Sequence, residues 1–129
     1  MKNILILGGE GYIGNALYEH FSKKNFKIIS FDNLIYNQKN KKKNSKKYSF
    51  IKGDIRKNKD LQKINNNYDA IIFLAGLVGD PITKKYPNES KIINEINVKK
   101  SIDFFDNKNI KNLIFISTCS NYGLIKETE

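Results

Sequence analysis

The sequence predicts an α/β fold, a doubly wound parallel sheet of order 3-2-1-4-5 with helices on both faces, formed by residues 1–129 as one domain. Three observations carry that prediction. Short apolar runs rich in Ile, Leu and Phe alternate with segments whose apolar residues fall at helical spacing, the pattern of strand-helix-strand units that close as right-handed crossovers. The first apolar run breaks into glycines that open directly onto a helix, Gly8-Gly9-Glu10-Gly11-Tyr12-Ile13-Gly14. The second run ends on an acid, Asp32.

The elements follow in order. Residues 3–7 read as a strand, and residues 13–24, with Ile13, Ala16, Leu17 and Phe21 at helical spacing, as a helix closed by Asn25. Residues 27–31 and 48–52 are β-rich runs stopped by Asp32-Asn33 and Gly53-Asp54. Between them, residues 37–47 are a Lys/Asn run without periodicity, which predicts a solvated loop. Residues 59–66 suit a short helix carrying Leu61 and Ile64, and the continuously apolar run 70–74 suits a central strand buried on both faces. After an expected loop at 77–87, Asn88 or Ser90 is placed to cap a long helix to about residue 108. Its apolar side draws on Ile92, Ile93, Ile96, Ile102 and Phe105, with Ser101 among them. Residues 113–117 form the last strand.

Composition excludes several classes. Apolar residues make up 40% and charged residues 28% of the 129, ordinary for a globular chain and too apolar for a disordered one. No apolar stretch has the length of a membrane span, and the N-terminal run enters glycines instead of a cleavage site. Cys119, the only cysteine, forms no intrachain disulfide, so the expected location is the cytoplasm. The net charge of +10 is compatible with nucleic acid, anionic lipid or a phosphorylated ligand. Yet Arg56 is the only arginine, and Lys, Asn and Ile abound throughout, the composition an AT-rich genome produces. The densest basic run, Lys39, Lys41, Lys42, Lys43, Lys46 and Lys47, has no aromatic platform or base-reading helix beside it, which argues against a nucleic-acid partner.

The chemistry starts at the glycine loop. Gly8 suits a tight turn, Gly11 lets backbone approach a pyrophosphate, and Gly14 lets the helix pack closely, while the helix N-terminus offers N–H groups to the anion. Asp32 follows by roughly 20 residues, where a carboxylate accepts from ribose 2′- and 3′-hydroxyls and repels a 2′-phosphate, favouring NAD over NADP. Each feature alone suits an ordinary turn or strand end; the spacing joins them into a Rossmann-type site. Asp54, past the end of the third strand, is placed to accept from an adenine amino group, and Asn97 interrupts an apolar helix face where a buried amide needs partners.

These residues resemble the extended short-chain dehydrogenase/reductase family, in its NAD-dependent nucleotide-sugar epimerase/dehydratase branch. Within it they resemble the N-terminal half of the enzymes that epimerise UDP-galactose. Gly8, Gly11 and Gly14 match the family's G-x-x-G-x-x-G, and Asp32-Asn33-Leu34 and Gly53-Asp54-Ile55-Arg56 match its segments after strands two and three. Leu74-Ala75-Gly76-Leu77, Asn97-Val98 and Ser117-Thr118-Cys119-Ser120-Asn121-Tyr122-Gly123 match later segments. The resemblance implies that Tyr12 and Ile13 back the pyrophosphate and that Asp54 and Ile55 flank the adenine. It further implies that Leu74, Ala75 and Gly76 line the path to the nicotinamide, that Asn97 lies beside the cofactor, and that Asn33 and Leu34 belong to the cofactor segment. It places Thr118 where a hydroxyl bonds the sugar oxygen being oxidised, while a Tyr activated by a Lys removes the proton and NAD takes the hydride.

That Tyr-x-x-x-Lys pair lies beyond Glu129 by the resemblance, so the expectation is a half-enzyme, inactive alone, lacking also the nucleotide-sugar-binding part. Tyr122 and Lys126 have the formal spacing, but the resemblance already uses Tyr122-Gly123 in the strand-five motif. Val78 departs from a lysine at the matching place, which leaves the sugar open. Cys119-Ser120 stands where dehydratases of the family carry an acidic pair, which favours epimerase or reductase chemistry. No obvious base accompanies Cys119 as a nucleophile. Expected partners are NAD, a nucleotide-sugar in the complete enzyme, and a second copy or a separately encoded C-terminal half. A non-catalytic NAD-binding module, or half of a split reductase or dehydratase, is the alternative.

Overall fold

The computed structural model describes residues 1–36, 46–65, 67–106, 108–118 and 123. Five strands, β1 Lys2–Leu7, β2 Phe26–Asp32, β3 Tyr48–Lys52, β4 Tyr68–Phe73 and β5 Ile110–Phe115, form one sheet of order β3-β2-β1-β4-β5. Every pairing is parallel, so the expected topology and fold class hold.

Alternation along the central strands divides the core by face. On one face Leu5, Leu7, Ile29, Phe31, Ile71 and Phe73 pack with Ile93 and Phe105 from the later helices. On the other, Ile4, Ile6, Ile28, Tyr48 and Ile72 pack under Leu17, Tyr18 and Phe21 of α1 (Tyr12–Ser22). Both faces of β1 are therefore buried, as the unbroken run Ile4-Leu5-Ile6-Leu7 requires.

The connections depart from expectation in three places. Helix α2 is only Asn58–Leu61, shorter than the expected 59–66; Leu61 and Ile64 are still buried, so one turn suffices to seat them. The expected loop 77–87 contains α3, Asp80–Lys85, with Pro81 in its first turn, where a missing N–H removes no helical bond. The long helix starts as α4 at Pro87–Lys91, after Tyr86, and neither Asn88 nor Ser90 caps it. Ser90 is inside the helix and buried, with no hydrogen-bond partner for its hydroxyl among the described residues.

That helix runs through a π-helical turn, Ile92–Ile96, into α5, Asn97–Asp106. The wider turn rotates the later residues away from the α-helical register. Ile93, Asn97, Ser101 and Phe105 face the core, while Ile92, Ile96 and Ile102, expected inward, are exposed. Among the described residues, no helix is long and apolar enough to cross a membrane.

Of the basic run, Lys46 and Lys47 are described, and the Lys47 ammonium donates to the carbonyls of Ser22 and Lys24, closing the end of α1. Lys39, Lys41, Lys42 and Lys43 lie outside the described residues, as do Cys119, Ser120, Asn121, Tyr122 and Lys126.

Candidate functional site

All five strands point their carboxyl ends to one edge, and β1 and β4, the neighbours on either side of the order reversal, open a crevice there. A cleft of about 850 Å³ fills it, a size suited to a cofactor. Of the residues singled out from sequence, Gly8, Gly11, Tyr12, Ile13, Gly14, Asp32, Asn33, Asp54, Ile55, Leu74, Ala75, Gly76 and Thr118 line it. Leu34 and Asn97 do not.

The glycine loop is shaped by close backbone approach. Gly8 has φ +81, a left-handed conformation, and a Cβ there would lie 2.8 Å from the Ala75 nitrogen. Gly14 packs onto the loop itself, where a Cβ would lie 2.4 Å from the Gly9 carbonyl oxygen. The Asn15 amide donates to the carbonyls of Glu10 (2.9 Å) and Gly11 (2.8 Å), tying loop to helix. No side chain caps α1 and no acid sits in its first turn, so its leading N–H groups remain available to an anion. Tyr12 is 92% exposed and Ile13 half-exposed, both at the rim of the cleft.

Asp32 is buried and held by two backbone donors. Oδ2 accepts from the Glu10 N–H at 3.0 Å and Oδ1 from the Leu34 N–H at 2.8 Å. A carboxylate offers roughly four lone-pair positions, so one position remains on each oxygen. Leu34 adopts φ 60, rare for a residue with a Cβ; its part is to hold Asp32 by its N–H. The Asn33 side chain accepts from the Ile35 N–H at 3.0 Å.

Asp54 is engaged differently. Oδ1 accepts from the Arg56 backbone N–H and from Nε, each at 2.9 Å, and Oδ2 from Arg56 Nη2 and Nε. Burial pushes the Asp54 carboxyl up, but the Arg56 hydrogen bonds and charge outweigh it and hold the group below its ordinary value.

Several residues of the site were not legible beforehand. Glu10, inside the glycine loop, is buried, and its Oε1 accepts from Ser30 Oγ at 2.6 Å and from the Tyr48 hydroxyl at 2.5 Å. One side chain thus ties the loop to β2 and β3. Asn94, in the π-helical turn, clamps the loop after β4: its Oδ1 accepts from the Leu77 N–H at 2.8 Å and its Nδ2 donates to the Leu77 carbonyl at 2.7 Å. The bond between this helix and the loop is therefore made by Asn94. Asn97 turns inward on its own helix, its Nδ2 and its backbone N–H both donating to the Ile92 carbonyl.

The model of the NAD dependent epimerase/dehydratase family matches residues 4–129. A UDP-glucose 4-epimerase of Klebsiella pneumoniae is 29% identical over 129 residues, covering 93% of this chain and 91% of that protein. A bifunctional UDP-glucose 4-epimerase and UDP-xylose 4-epimerase of Arabidopsis thaliana is 29% identical, covering 95% of this chain and 38% of that one. Among solved structures, the UDP-N-acetylglucosamine 4-epimerase of Methanobrevibacter ruminantium, in complex with UDP-N-acetylmuramic acid, superposes with a TM-score of 0.79. It is 30% identical, covering 99% of this chain and 43% of that one. The Bordetella bronchiseptica enzyme WbmF, in complex with NAD+, gives a TM-score of 0.82 at 18% identity, covering 98% and 39%, a likeness of fold. The chain thus spans less than half of each of these proteins except the first. It belongs to the NAD-dependent epimerase/dehydratase family, whose cofactor is NAD.

Proposed function

We propose that the chain is the NAD-binding half of a nucleotide-sugar epimerase and does not turn over alone. The observation that carries the reading is Asp32: a buried carboxylate fixed by two backbone donors, with one open acceptor position on each oxygen, beside a glycine loop and an uncapped helix N-terminus. Two vicinal ribose hydroxyls match two open acceptors, a pyrophosphate matches the helix N-terminus, and a 2′-phosphate meets like charge at Asp32. Bound NAD would accept a hydride from a sugar carbon and return it. The chain's own residues hold and orient: Gly8, Gly11, Tyr12, Ile13 and Gly14 at the pyrophosphate, Asp54 and Ile55 at the adenine, Leu74 to Gly76 toward the nicotinamide. Thr118, on the cleft wall past β5, supplies a hydroxyl to the sugar oxygen.

In this reading the catalytic Tyr and Lys and the nucleotide-sugar contacts come from the part that the longer relatives possess, as one chain or as a separate one. Leu113, Ile114, Phe115 and Ile116 of β5 and its end are each 41–48% exposed, and adjacent strand residues point to opposite faces. Both faces of that strand thus remain open to such a part. Cytoplasmic location and a homodimer belong to the same proposal.

Calorimetry with NAD and NADP on the folded chain, beside Asp32→Ala, tests it. NAD should bind, NADP far more weakly, and the variant should lose most of the affinity for NAD. Absence of NAD binding in folded protein would leave an inherited fold without its site.

A further inference from the structure

We infer that Arg56 sets how the cleft reads the purine base, by occupying the acceptor positions of Asp54. The inference rests on the proposed NAD site and concerns which dinucleotides that site accepts.

The two cleft carboxylates contrast. Asp32 receives two donors and keeps two positions open, whereas Asp54 has its roughly four positions taken. Arg56 supplies a backbone N–H, Nε and Nη2, and Asn33 Nδ2 adds a long contact at 3.5 Å. The carboxylate has little freedom to turn elsewhere. Its own backbone N–H donates to Asp60 Oδ2 at 3.1 Å, and the other oxygen of Asp60 pairs with Lys63 Nζ at 2.6 Å. The preceding Gly53 donates to the Asp32 carbonyl, and a Cβ on it would meet the Phe31 ring at 2.4 Å. The Arg56 side chain, 39% exposed against 10% for Asp54, is the more accessible of the pair.

An adenine 6-amino group reaching Asp54 therefore exchanges with a charge-assisted Arg56 bond and gains little. A 6-oxo base, which has no amine to offer, accepts instead from the Arg56 fork. The pair presents a donor and an acceptor together and so discriminates weakly between the two bases. Without Arg56, Asp54 has open acceptors and the amine becomes its best donor, while a carbonyl faces bare negative charge.

Calorimetry of NAD against nicotinamide hypoxanthine dinucleotide, on the unaltered chain and on Arg56→Ala, reads this out. The unaltered chain should bind both within about threefold, and Arg56→Ala should prefer NAD by about tenfold or more, one hydrogen bond to a charged group. Arg56→Lys, which keeps the charge but not the fork, should move the ratio the same way and serves if the alanine variant does not fold. Asp54→Asn added to either should remove the gained preference. A strong NAD preference in the unaltered chain that shrinks when Arg56 is replaced would overturn the inference, making Arg56 a support for adenine reading. Failure of both dinucleotides to bind folded protein would instead overturn the NAD site itself, and the inference with it.

Discussion

Replacing Asp32 by Asn should weaken the fold and the cofactor preference together, because in the proposed site the same carboxylate serves both. Its two oxygens each accept one backbone N–H, Leu34 at 2.8 Å and Glu10 at 3.0 Å. An amide has one oxygen, so whichever way Asn turns, its NH2 faces a backbone donor. One N–H is left without an acceptor, which costs about 1–3 kcal/mol. Leu34 is the more exposed of the two and is already in a left-handed conformation, so the turn at 32–35 should yield first. The ligand loses one charge-assisted acceptor, about 1.5–3 kcal/mol, or roughly 10- to 150-fold in NAD affinity. NADP loses the same acceptor but escapes the charge repulsion, so the NAD:NADP ratio should fall. Urea denaturation reads the first effect and calorimetry the second. An unchanged urea midpoint with an unchanged NAD:NADP ratio would refute the double role.

Gly14→Ala puts a Cβ 2.4 Å from the Gly9 carbonyl oxygen and 2.6 Å from its carbon; the overlap, about 1–3 kcal/mol, should exceed the helix-propensity gain of about 1 kcal/mol. Thermal melts should show lower stability and calorimetry a further loss of NAD affinity as the loop shifts. Tyr48→Phe removes a 2.5 Å bond to buried Glu10 and should lower stability by about 1.5–3 kcal/mol in urea. For pH, three carboxyls among the described residues sit below their ordinary value: Asp54 because Arg56 outweighs burial, Asp60 through Lys63, and Asp69 through Lys111. Depressed carboxyls contribute stability that is complete above the unfolded value of 3.8 and is lost as pH falls through the folded values. Urea midpoints should therefore hold steady from neutrality to about pH 5 and drop below about pH 4; a midpoint that fell on leaving pH 7 would point to other groups.

Sheet order and the positions of Gly8, Gly14 and Asp32 were legible because local sequence dictates them: glycines where backbones touch, an acid where a strand ends. Long-range polar pairings were not. Glu10 finds Ser30 and Tyr48 across 20 and 38 residues of chain, and nothing in the loop's composition names them. The signal available was the charge itself, since a glutamate among glycines at a strand end must be buried or solvated, and burial demands donors. The late helix misled for a different reason. Ile92 and Ile96 lie one helical turn apart, but Ile102 falls about 120° round an α-helix from Ile96; through the π-helical turn the inward stripe is Ile93, Asn97, Ser101 and Phe105, and Asn94 meets the loop. The mixed spacing of the apolar residues was the trace of that turn.

Residues that hold the fold together at the proposed site complicate a test of binding. At Asp32, Gly8 and Gly14 the neighbouring atoms are backbone, so any substitution there moves the main chain and confounds affinity with stability. Gly11 is different. Its φ is −71 and its backbone extended, and a Cβ would meet only the Gly8 carbonyl oxygen at 3.4 Å, so alanine fits the chain; its smaller unfolded-state entropy, about 0.4–1 kcal/mol, offsets its poorer fitness at this N-cap. What it would obstruct is a ligand brought close to the loop. Gly11→Ala should therefore leave the melting temperature nearly unchanged while cutting NAD affinity at least about tenfold, the loss of one good polar contact. Equal NAD affinity in that variant would refute the proposed place of the pyrophosphate at the glycine loop, and with it the proposed approach of the nicotinamide to Thr118.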